Sequence, residues 1–275
     1  MVFKPNRELQ KFLAEDLGLG DVTSNLLEKK QIKAKIITRQ EAIVSGVNFV
    51  KQIFALKKCS SRITKKDGTR VKANQTILEI SGDAAAILSC ERTALNLLSR
   101  MCGISTKTNQ LNTLIQKINR KTKLYATRKT APGLRYFDKI AVETGGGKKH
   151  RMTLHDMIMF KDNHLAVEKS IVSLIAKAKK TRRKIEIEVE NQKDAILVAS
   201  LGVDIIMLDN FTPNQIKTTI KSLYDLNLRK NIKIEASGRI NEKNILQYAK
   251  TGVDMISVGE ITNSPQGIDL SLEIN

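Results

Sequence analysis

Cationic side chains follow two short apolar segments located after residue 122. Arg128 and Lys129 come directly after KLYAT (123–127), and Lys161 comes directly after DMIMF (156–160). A guanidinium can bind a carboxylate or phosphate through two hydrogen bonds, whereas an ammonium acts as a compact point charge. If the segments are neighbouring strands, these cations converge and predict a ligand with several negative charges. Solvated loop charges are the alternative, because the chain has 47 basic residues.

Carboxylates end the next two apolar segments. Glu190 follows IEIEV (185–189), and Asp209 follows DIIML (204–208). Carboxylate oxygens are ligands that Mg²⁺ prefers, and a bound Mg²⁺ commonly bridges substrate phosphates. The same side chains could instead accept hydrogen bonds from sugar hydroxyls, or form salt bridges with nearby lysines.

Glycine-containing turns end the last two apolar segments. Ser237-Gly238 follows the segment at 232–236, and Gly259 follows the segment at 254–258. Loops at such positions often hold a phosphate with backbone N–H groups, and glycine lets the backbone approach closely. Short glycine turns are frequent, so this feature indicates a phosphate site only together with the others.

Another basic cluster, which includes His150 and Arg151, follows three consecutive glycines at 145–147. A glycine run predicts a flexible or closely packed loop that delivers the cluster. The chain has three His and three Cys and shows no CxxC, HExxH, GxSxG or P-loop pattern. A zinc site, a disulfide framework and a serine nucleophile are therefore unsupported. The scarce cysteines favour a reduced, cytoplasmic compartment.

Helical segments separate the later apolar segments, which predicts repeated strand–helix units and parallel strands. Six strands are expected, with a seventh left open, and both a doubly wound sheet and an α/β barrel fit the order. Polar residues follow all six strands. A barrel builds its site from many strand ends, whereas a doubly wound sheet uses one switch point, so a barrel is favoured. The expected strands are 123–127, 156–160, 185–189, 204–208, 232–236 and 254–258.

The first hundred residues mix helical and strand patterns, unlike the repeated strand–helix units that follow. A long helix is expected over 84–101, with a break at Gly103 and a second helix over 105–118. The other expected elements are helices at 7–17 and 48–57 and strands at 32–38 and 76–82. The predicted fold class is therefore α/β.

The composition limits the class of protein. The 275 residues carry a net charge of +19 and include 4% aromatic residues. The basic residues are spread along the chain and stacking aromatics are scarce, which argues against nucleic acid as a partner. No apolar run approaches the roughly 18 residues of a membrane span, and the N-terminus is charged throughout, so neither a membrane protein nor a signal peptide is expected. A positive field does suit an anionic small substrate.

Longer segments of the chain resemble the quinolinate phosphoribosyltransferase family, also called nicotinate-nucleotide pyrophosphorylase (carboxylating). The resemblance runs in order from residue 8 to residue 274. Its segments are EDLGLGDVTSNLL (15–27), ERTALNLLSRMCGIST (91–106), ATRKTAPGLRYFDKIAVETGGGKKHR (126–151), MFKDNH (159–164), IEVE (187–190), MLDN (207–210), EASG (235–238) and GVDMISVGEIT (252–262).

The resemblance implies phosphoribosyl transfer from phosphoribosyl pyrophosphate to quinolinate, with Mg²⁺. The products would be nicotinate mononucleotide, pyrophosphate and CO₂, in NAD biosynthesis. It also implies a fold of two domains: an N-terminal α/β sandwich at 1–104 and an incomplete barrel of six to seven parallel strands at 105–265, with a C-terminal segment, 266–275, that returns to the first domain. The implied assembly is a homodimer in which the N-terminal domain of one subunit covers the barrel mouth of the other, and a hexamer is left open. The residues agree with such substrates, because quinolinate is a dianion and phosphoribosyl pyrophosphate is more highly charged.

Matching the family motifs to this sequence implies a role for each residue. Arg92 is expected to contact quinolinate in the partner's site, and Lys129 is expected near the pyrophosphate. The residues expected to line the same quinolinate pocket are Thr127, Arg128, His150, Arg151 and Lys161. The 5′-phosphate is expected at Ser237-Gly238 and at the turn around Gly259. The implied substrate-binding residues are Arg92, Thr127, Arg128, Lys129, His150, Arg151, Lys161, Ser237, Gly238, Arg239, Val258, Gly259 and Glu260. The implied catalytic residues are Lys129, Lys161, Glu190 and Asp209, of which Glu190 and Asp209 also bind the metal.

Two positions differ from the family pattern. Arg239 stands where the family usually has glycine, and Asn263 stands where it often has histidine, both on the phosphate side. One alternative is a family paralogue that acts on another acidic base, although KDNH at 161–164 favours the members of NAD biosynthesis. The other alternative is a basic protein that binds nucleic acid.

Overall fold

The computed structural model describes residues 4–168 and 170–274, which divide into two compact units. The first unit comprises the chain up to Asn109, Ala131–Gly146 and the chain from Ser264 onward. The second comprises Gln110–Thr130 and Gly147–Asn263. These limits differ from the predicted boundaries, because Ala131–Gly146 groups with the first unit and not with the barrel.

Ala131–Gly146 belongs to the first unit because its helix, Arg135–Thr144, contributes Phe137 and Asp138 to contacts within that unit. The ring of Phe137 lies 5.7 Å from that of Phe12 and 5.0 Å from that of Phe49. The neighbouring Asp138, which is fully buried, accepts two hydrogen bonds from the guanidinium of Arg100, at 2.7 and 2.9 Å.

Numbered along the whole chain, the elements of the first unit are α1 Pro5–Leu17, β1 Gln31–Thr38, β2 Ala42–Ile43, α2 Val47–Leu56, β3 Ser60–Ile63, β4 Arg70–Val71, β5 Thr76–Asp83, α4 Arg135–Thr144 and β12 Leu270–Ile274, with a 3₁₀ turn at Ser24–Leu26. Helix α3, Ala84–Ile118, belongs to this unit up to Asn109 and to the second unit from Gln110. The unit is built on an antiparallel sheet in the order β12-β1-β5-β3, with β2 and β4 as a separate pair. Thr38 pairs with Leu270 and Ala34 with Ile274, so the C-terminal segment forms an edge strand of this sheet.

The predicted break at Gly103 is wrong, because α3 runs without interruption from Ala84 to Ile118. Gly103 serves close packing instead. A Cβ atom at this position would lie 1.9 Å from the carbonyl oxygen of Gln266, so only glycine fits. A single glycine inside a helix costs about 1 kcal/mol relative to alanine, which a long helix tolerates.

The second unit contains a six-stranded parallel sheet, whose strands in spatial order are β6 (Lys123–Ala126), β11 (Met255–Val258), β10 (Lys233–Ser237), β9 (Ile205–Asp209), β8 (Ile185–Val189) and β7 (Ile158–Phe160). The predicted fold class is confirmed, with six strands. At the position of a seventh strand, Lys148 forms an isolated bridge to β6. Its backbone N–H donates to the Leu124 carbonyl at 2.8 Å, and its carbonyl accepts from the Ala126 N–H at 3.0 Å. The elements are β6 Lys123–Ala126, β7 Ile158–Phe160, α5 Asp162–Val167, α6 Ile171–Lys179, β8 Ile185–Val189, α7 Gln192–Ser200, β9 Ile205–Asp209, α8 Pro213–Asp225, β10 Lys233–Ser237, α9 Ile245–Ala249, β11 Met255–Val258 and α10 Glu260–Asn263.

The sheet curves into an incomplete barrel with its own core. Met159 on β7 and Met255 on β11 belong to one buried cluster, against which Tyr125 on β6 packs. These strands lie at opposite ends of the sheet order, so their side chains can meet only if the sheet curves around them. Methionine is flexible and fills the irregular space inside such a barrel.

Helix caps fix the loops that follow two of the strands. The Asn191 side chain accepts a hydrogen bond from the backbone N–H of Asp194 at 2.9 Å and caps α7 directly after Glu190. Thr212 and Gln215 form a capping box at the start of α8, three residues after Asp209. Such caps stabilise a helix by about 1 kcal/mol and here hold the strand ends in place. Across residues 4–168 and 170–274, no helix is long and apolar enough to cross a membrane.

Candidate active site

The ends of β6 and β11 lie together. The Lys129 backbone N–H donates to the Thr127 hydroxyl at 3.1 Å, and the Lys129 carbonyl accepts from Thr262 Oγ1 at 2.8 Å. A Cβ atom on Gly259 would lie 3.3 Å from Lys129 Cδ and 3.6 Å from Thr127 Oγ1. The structure therefore brings together Thr127, Lys129 and Gly259, as the sequence predicted for a barrel.

The ends of β9 and β10 also meet, and here glycine is required. The Asn210 backbone N–H donates to the Ser237 carbonyl at 2.9 Å. Gly238 has φ of +95°, and a Cβ atom there would lie 2.7 Å from that same backbone nitrogen. Arg239 is also left-handed, with φ of +51°, which explains in physical terms why glycine suits this position in the family. The Arg239 side chain is exposed.

Lys161 links the ends of β7 and β8. Its ammonium forms a close ion pair with Glu188, an interior position of β8. Burial raises the pKa of Glu188, Lys161 opposes that rise, and the negative charge of Asp209 adds to it. These three side chains therefore share one electrostatic environment across the ends of three strands.

Glu190 and Asp209 lie side by side where the strands end. Val189 pairs with Leu208, so the residues that follow in register are Glu190 and Asp209. Glu190 is exposed and Asp209 is half-buried, with one Asp209 oxygen accepting from the Asn210 amide at 2.6 Å. Two neighbouring carboxylates with open oxygens fit a hard divalent cation such as Mg²⁺.

The guanidinium groups of Arg128 and Arg151 lie close together, and one of their N–H donors has no hydrogen-bond partner within the described residues. The Arg128 Nε is buried and has no hydrogen-bond partner within the described residues. Burial lowers the pKa of Arg151, and the positive charge of Arg128 lowers it further. A pair of partly buried cations with a free donor is the complement of a carboxylate or phosphate. We call the strand-end groups Thr127, Arg128, Lys129, Arg151, Lys161, Glu190, Asp209, Ser237, Gly238 and Gly259 the rim.

His150 lies below the rim against two buried carboxylates, and we call the three side chains the His150 cluster. His150 Nε2 lies 3.1 Å from Glu235 on β10 and 3.4 Å from Glu186 on β8. Both glutamates are fully buried, and the His150 side chain is 7% exposed. Two neighbouring carboxylates in a barrel interior require compensating positive charge or protons.

Charge balance determines the protonation of the cluster. Desolvation lowers the pKa of His150, but hydrogen bonds and charges of both carboxylates outweigh it and raise the pKa to about 9. Burial, with the charge of Glu235, raises the pKa of Glu186 to about 7. The Arg151 backbone N–H lies 2.8 Å from His150 Nδ1, an approach that suits an unprotonated Nδ1. We nevertheless assign the imidazolium, because a neutral ring would leave uncompensated buried carboxylate charge, which costs more than one poor N–H contact.

The remaining predicted residues belong neither to the rim nor to the His150 cluster. Arg92 belongs to the first unit, where it is exposed on α3 and lines a groove of about 310 Å³. Val258 is buried at the end of β11, and Glu260 is exposed in the next turn. Their predicted roles, like those of the rim residues, stay predictions.

Three acidic residues in the site were not among the predicted ones: Glu186, Glu188 and Glu235. The available signal was acidic residues within otherwise apolar strands. Glu186 and Glu188 occupy alternate positions of β8, in register with the interior residues Met159 and Met207, and Glu235 interrupts the apolar run of β10. Alternation alone does not show that residues of two different strands reach the same histidine.

A parallel, incomplete α/β barrel with cations, carboxylates and glycine turns at its strand ends is typical of enzymes that bind anionic, phosphorylated substrates. Comparisons with known proteins identify the particular family. Residues 21–102 match the model for the quinolinate phosphoribosyl transferase N-terminal domain, and residues 104–273 match the model for its C-terminal domain. The chain belongs to the quinolinate phosphoribosyl transferase family.

Individual relatives agree over nearly the whole chain. A protein of Archaeoglobus fulgidus named probable nicotinate-nucleotide pyrophosphorylase (carboxylating) is 40% identical, over 93% of this chain and 98% of its own. The structure of the nicotinate-nucleotide pyrophosphorylase from Francisella tularensis is 37% identical, with a TM-score of 0.91 over 98% and 96% of the two chains. That from Ehrlichia chaffeensis is 34% identical, with a TM-score of 0.93 and full coverage of both chains.

Proposed function

We propose that this chain transfers the phosphoribosyl group of phosphoribosyl pyrophosphate to quinolinate and releases CO₂, which gives nicotinate mononucleotide in NAD biosynthesis. Membership of the family over both domains carries the proposal. The structure supports it with the buried, unpartnered Nε of Arg128 beside Arg151, a pair of cations suited to the two carboxylates of quinolinate.

The rim accounts for recognition of the two substrates. Arg128, Arg151 and Lys161 bind the dicarboxylate, while Lys129 balances the pyrophosphate charge. Ser237 and Gly238 supply a close backbone approach to the 5′-phosphate. Holding two reactants in line makes the reaction effectively unimolecular, which accounts for a large part of the rate enhancement without a protein nucleophile.

The bond changes need electrostatics more than acid–base groups. The quinolinate nitrogen forms a bond to C1′ as the C1′–O bond to pyrophosphate breaks, and positive charge develops on the ribose. Asp209 and Glu190 lie where such charge can be stabilised. The C2–carboxylate bond then breaks, and CO₂ leaves. The electron pair stays on C2 beside the cationic nitrogen until a solvent proton replaces the carboxylate.

A divalent cation belongs to the proposal because pyrophosphate is a highly charged leaving group. Glu190 and Asp209 would hold Mg²⁺, and the bound ion would supply positive charge for the leaving group. The homodimer, in which Arg92 of one subunit serves the site of the other, and the cytoplasmic location are parts of the same proposal.

Removing the metal or one of its ligands should lower activity strongly. We expect EDTA to abolish turnover and Mg²⁺ to restore it, and we expect Asp209→Asn to weaken Mn²⁺ binding, measured by electron paramagnetic resonance, by about 10- to 100-fold. Asp204→Asn is the matched control, because Asp204 precedes β9 and bonds to the backbone N–H of Ile185 at 2.8 Å. Full activity in metal-free buffer, or unchanged Mn²⁺ binding by Asp209→Asn, would contradict this assignment.

The experiment that tests the proposed function supplies quinolinate, nicotinate and nicotinamide separately. Each is combined with phosphoribosyl pyrophosphate and Mg²⁺, and the nucleotide product is separated by chromatography. The proposal expects product from quinolinate. Product from another acidic base alone would favour a paralogue, and no product from any base would reject the proposed function.

A further inference from the structure

The His150 cluster joins strands that are not neighbours in the sheet. Glu186 lies on β8 and Glu235 on β10, and both reach His150 Nε2 over the inner face of β9. The His150 backbone is left-handed, with φ of +54°, a strained conformation for a residue other than glycine. A residue held in such a conformation requires strong local contacts, and the two carboxylates supply them.

The carboxylates have few other partners. Both oxygens of Glu186 and Oε1 of Glu235 find no hydrogen-bond partner within the described residues, apart from the ionic approach of Glu186 to His150. The remaining polar groups that face the ring are the phenol of Tyr125, whose ring centroid lies 5.7 Å away, and the guanidinium of Arg151. The carboxylates are therefore arranged around His150 and serve no visible hydrogen-bond network of their own.

We propose that Glu186 and Glu235 are positioning residues that hold His150 through Nε2 and maintain its positive charge next to Arg151. Contact between His150 and the substrate dicarboxylate is already part of the predicted site, and the new element is the role of the two glutamates. The identity of the dicarboxylate rests on the proposed function, whereas the state of His150 does not. One protonated carboxyl, one carboxylate and one imidazolium leave the cluster neutral, which suits a barrel interior.

A metal ion is the competing occupant of this cluster. The ligating atoms of His150, Glu186 and Glu235 all lie within 4.8 Å of one another. The cluster reaches charge balance with protons alone, and Nε2 already lies at hydrogen-bonding distance from Glu235. The geometry therefore favours a proton over a metal ion, and the experiment below separates the two.

The first measurement follows the titration of His150 directly. The chain has three histidines, His150, His155 and His164, so ¹⁵N-histidine spectra are simple to assign with single substitutions. We expect the His150 ring to titrate with a midpoint of about 9 in the wild type. Glu186→Gln and Glu235→Gln should each lower that midpoint by about 1–3 units, the shift that an opposite charge within 4–6 Å produces.

The second measurement separates positioning from simple structural damage. Below pH 9 the ring is charged, so KM for quinolinate should stay low, and it should rise as pH passes about 9 and the ring loses its proton. In Glu186→Gln and Glu235→Gln, KM for quinolinate should begin to rise at lower pH than in the wild type. It should be about tenfold above the wild-type value at pH 8 and equal to the wild-type value at pH 6. The KM for phosphoribosyl pyrophosphate and kcat should change little.

Asp204→Asn provides the control, because it changes a carboxylate at the opposite end of the same strands without contact to His150. It should leave both the His150 titration and the pH profile unchanged. A wild-type midpoint near the ordinary value of histidine would overturn the proposal even if both glutamine variants failed to fold. So would a KM effect in those variants that acidic pH does not reverse, or stoichiometric broadening of the His150 signal by Mn²⁺ that both variants abolish.

These outcomes also separate the inference from the proposed function. A raised titration midpoint that falls in both variants, together with no turnover of quinolinate by the wild type, would support the role of the glutamates and reject the reaction. Turnover of quinolinate with an ordinary His150 titration would support the reaction and reject the role of the glutamates.

Discussion

Mixing Arg92→Ala with Lys161→Ala is expected to restore about a quarter of wild-type activity, although each variant alone is nearly inactive. Removing one cation from a desolvated anion site costs roughly 2–5 kcal/mol, or about 30- to several-thousand-fold in activity. Arg92 lies in the first unit and Lys161 in the second. If each site combines Arg92 of one chain with Lys161 of the other, a heterodimer has one intact site and one site that lacks both cations.

The recovery follows from the symmetry of a dimer. Free subunit exchange makes about half of the dimers heterodimers, and each of these has one working site of two. Controls are Arg62→Ala and Lys177→Ala, which remove exposed partners of Glu79 and Glu168. The control variants should stay active alone. If native mass spectrometry shows heterodimers and the mixture stays as inactive as its parents, Arg92 does not serve the partner's site.

Quinolinate should be used at least about 10³-fold better than nicotinate, measured as kcat/KM at constant phosphoribosyl pyrophosphate and Mg²⁺. Nicotinate lacks the 2-carboxylate, so it would leave buried cations of the Arg128 and Arg151 pair unpaired. The cost of such unpaired groups is the physical origin of strong discrimination.

A substitution tests the cause of that discrimination. Arg128→Ala should lower kcat/KM for quinolinate far more than it lowers that for nicotinate, because it removes the group whose buried Nε has no other partner within the described residues. Comparable use of nicotinate by the wild type would contradict the assignment of this pair to the second carboxylate.

Local patterns predict the strands of the barrel closely. The strand at 185–189 has the same limits in the structure, because it is apolar at every second position and ends at a helix cap. The strand at 254–258 begins one residue later than predicted, at Met255. The limits of a strand can therefore be predicted from sequence when they depend only on its own residues and on the turns beside it.

Contacts between distant segments explain what could not be predicted. Gly103 looks like a helix break, but its lack of a side chain is needed against Gln266, which lies far along the chain. Lys148 forms only an isolated bridge to Tyr125, too short for any strand pattern. The grouping of Ala131–Gly146 with the first unit depends on the packing of Phe137, which the sequence shows only as one apolar position.

In the site too, local patterns could be predicted and contacts between distant segments could not. Residues at strand ends could be predicted, since parallel strands bring their carboxyl ends to one edge. The meeting of Glu186 and Glu235 at His150 could not, because it depends on the strand order and on the curvature of the sheet. The family resemblance supplies roles for the rim residues, but it does not supply the protonation of His150.

The most direct test of the proposed reaction uses quinolinate labelled with ¹³C in its 2-carboxylate. The labelled base is incubated with this protein, phosphoribosyl pyrophosphate and Mg²⁺, and both CO₂ and nucleotide are measured by mass spectrometry. The proposal predicts one labelled CO₂ for each unlabelled nicotinate mononucleotide, and none when phosphoribosyl pyrophosphate is omitted. A nucleotide that retains the label, or the absence of any nucleotide from a folded, Mg²⁺-supplied protein, would contradict it.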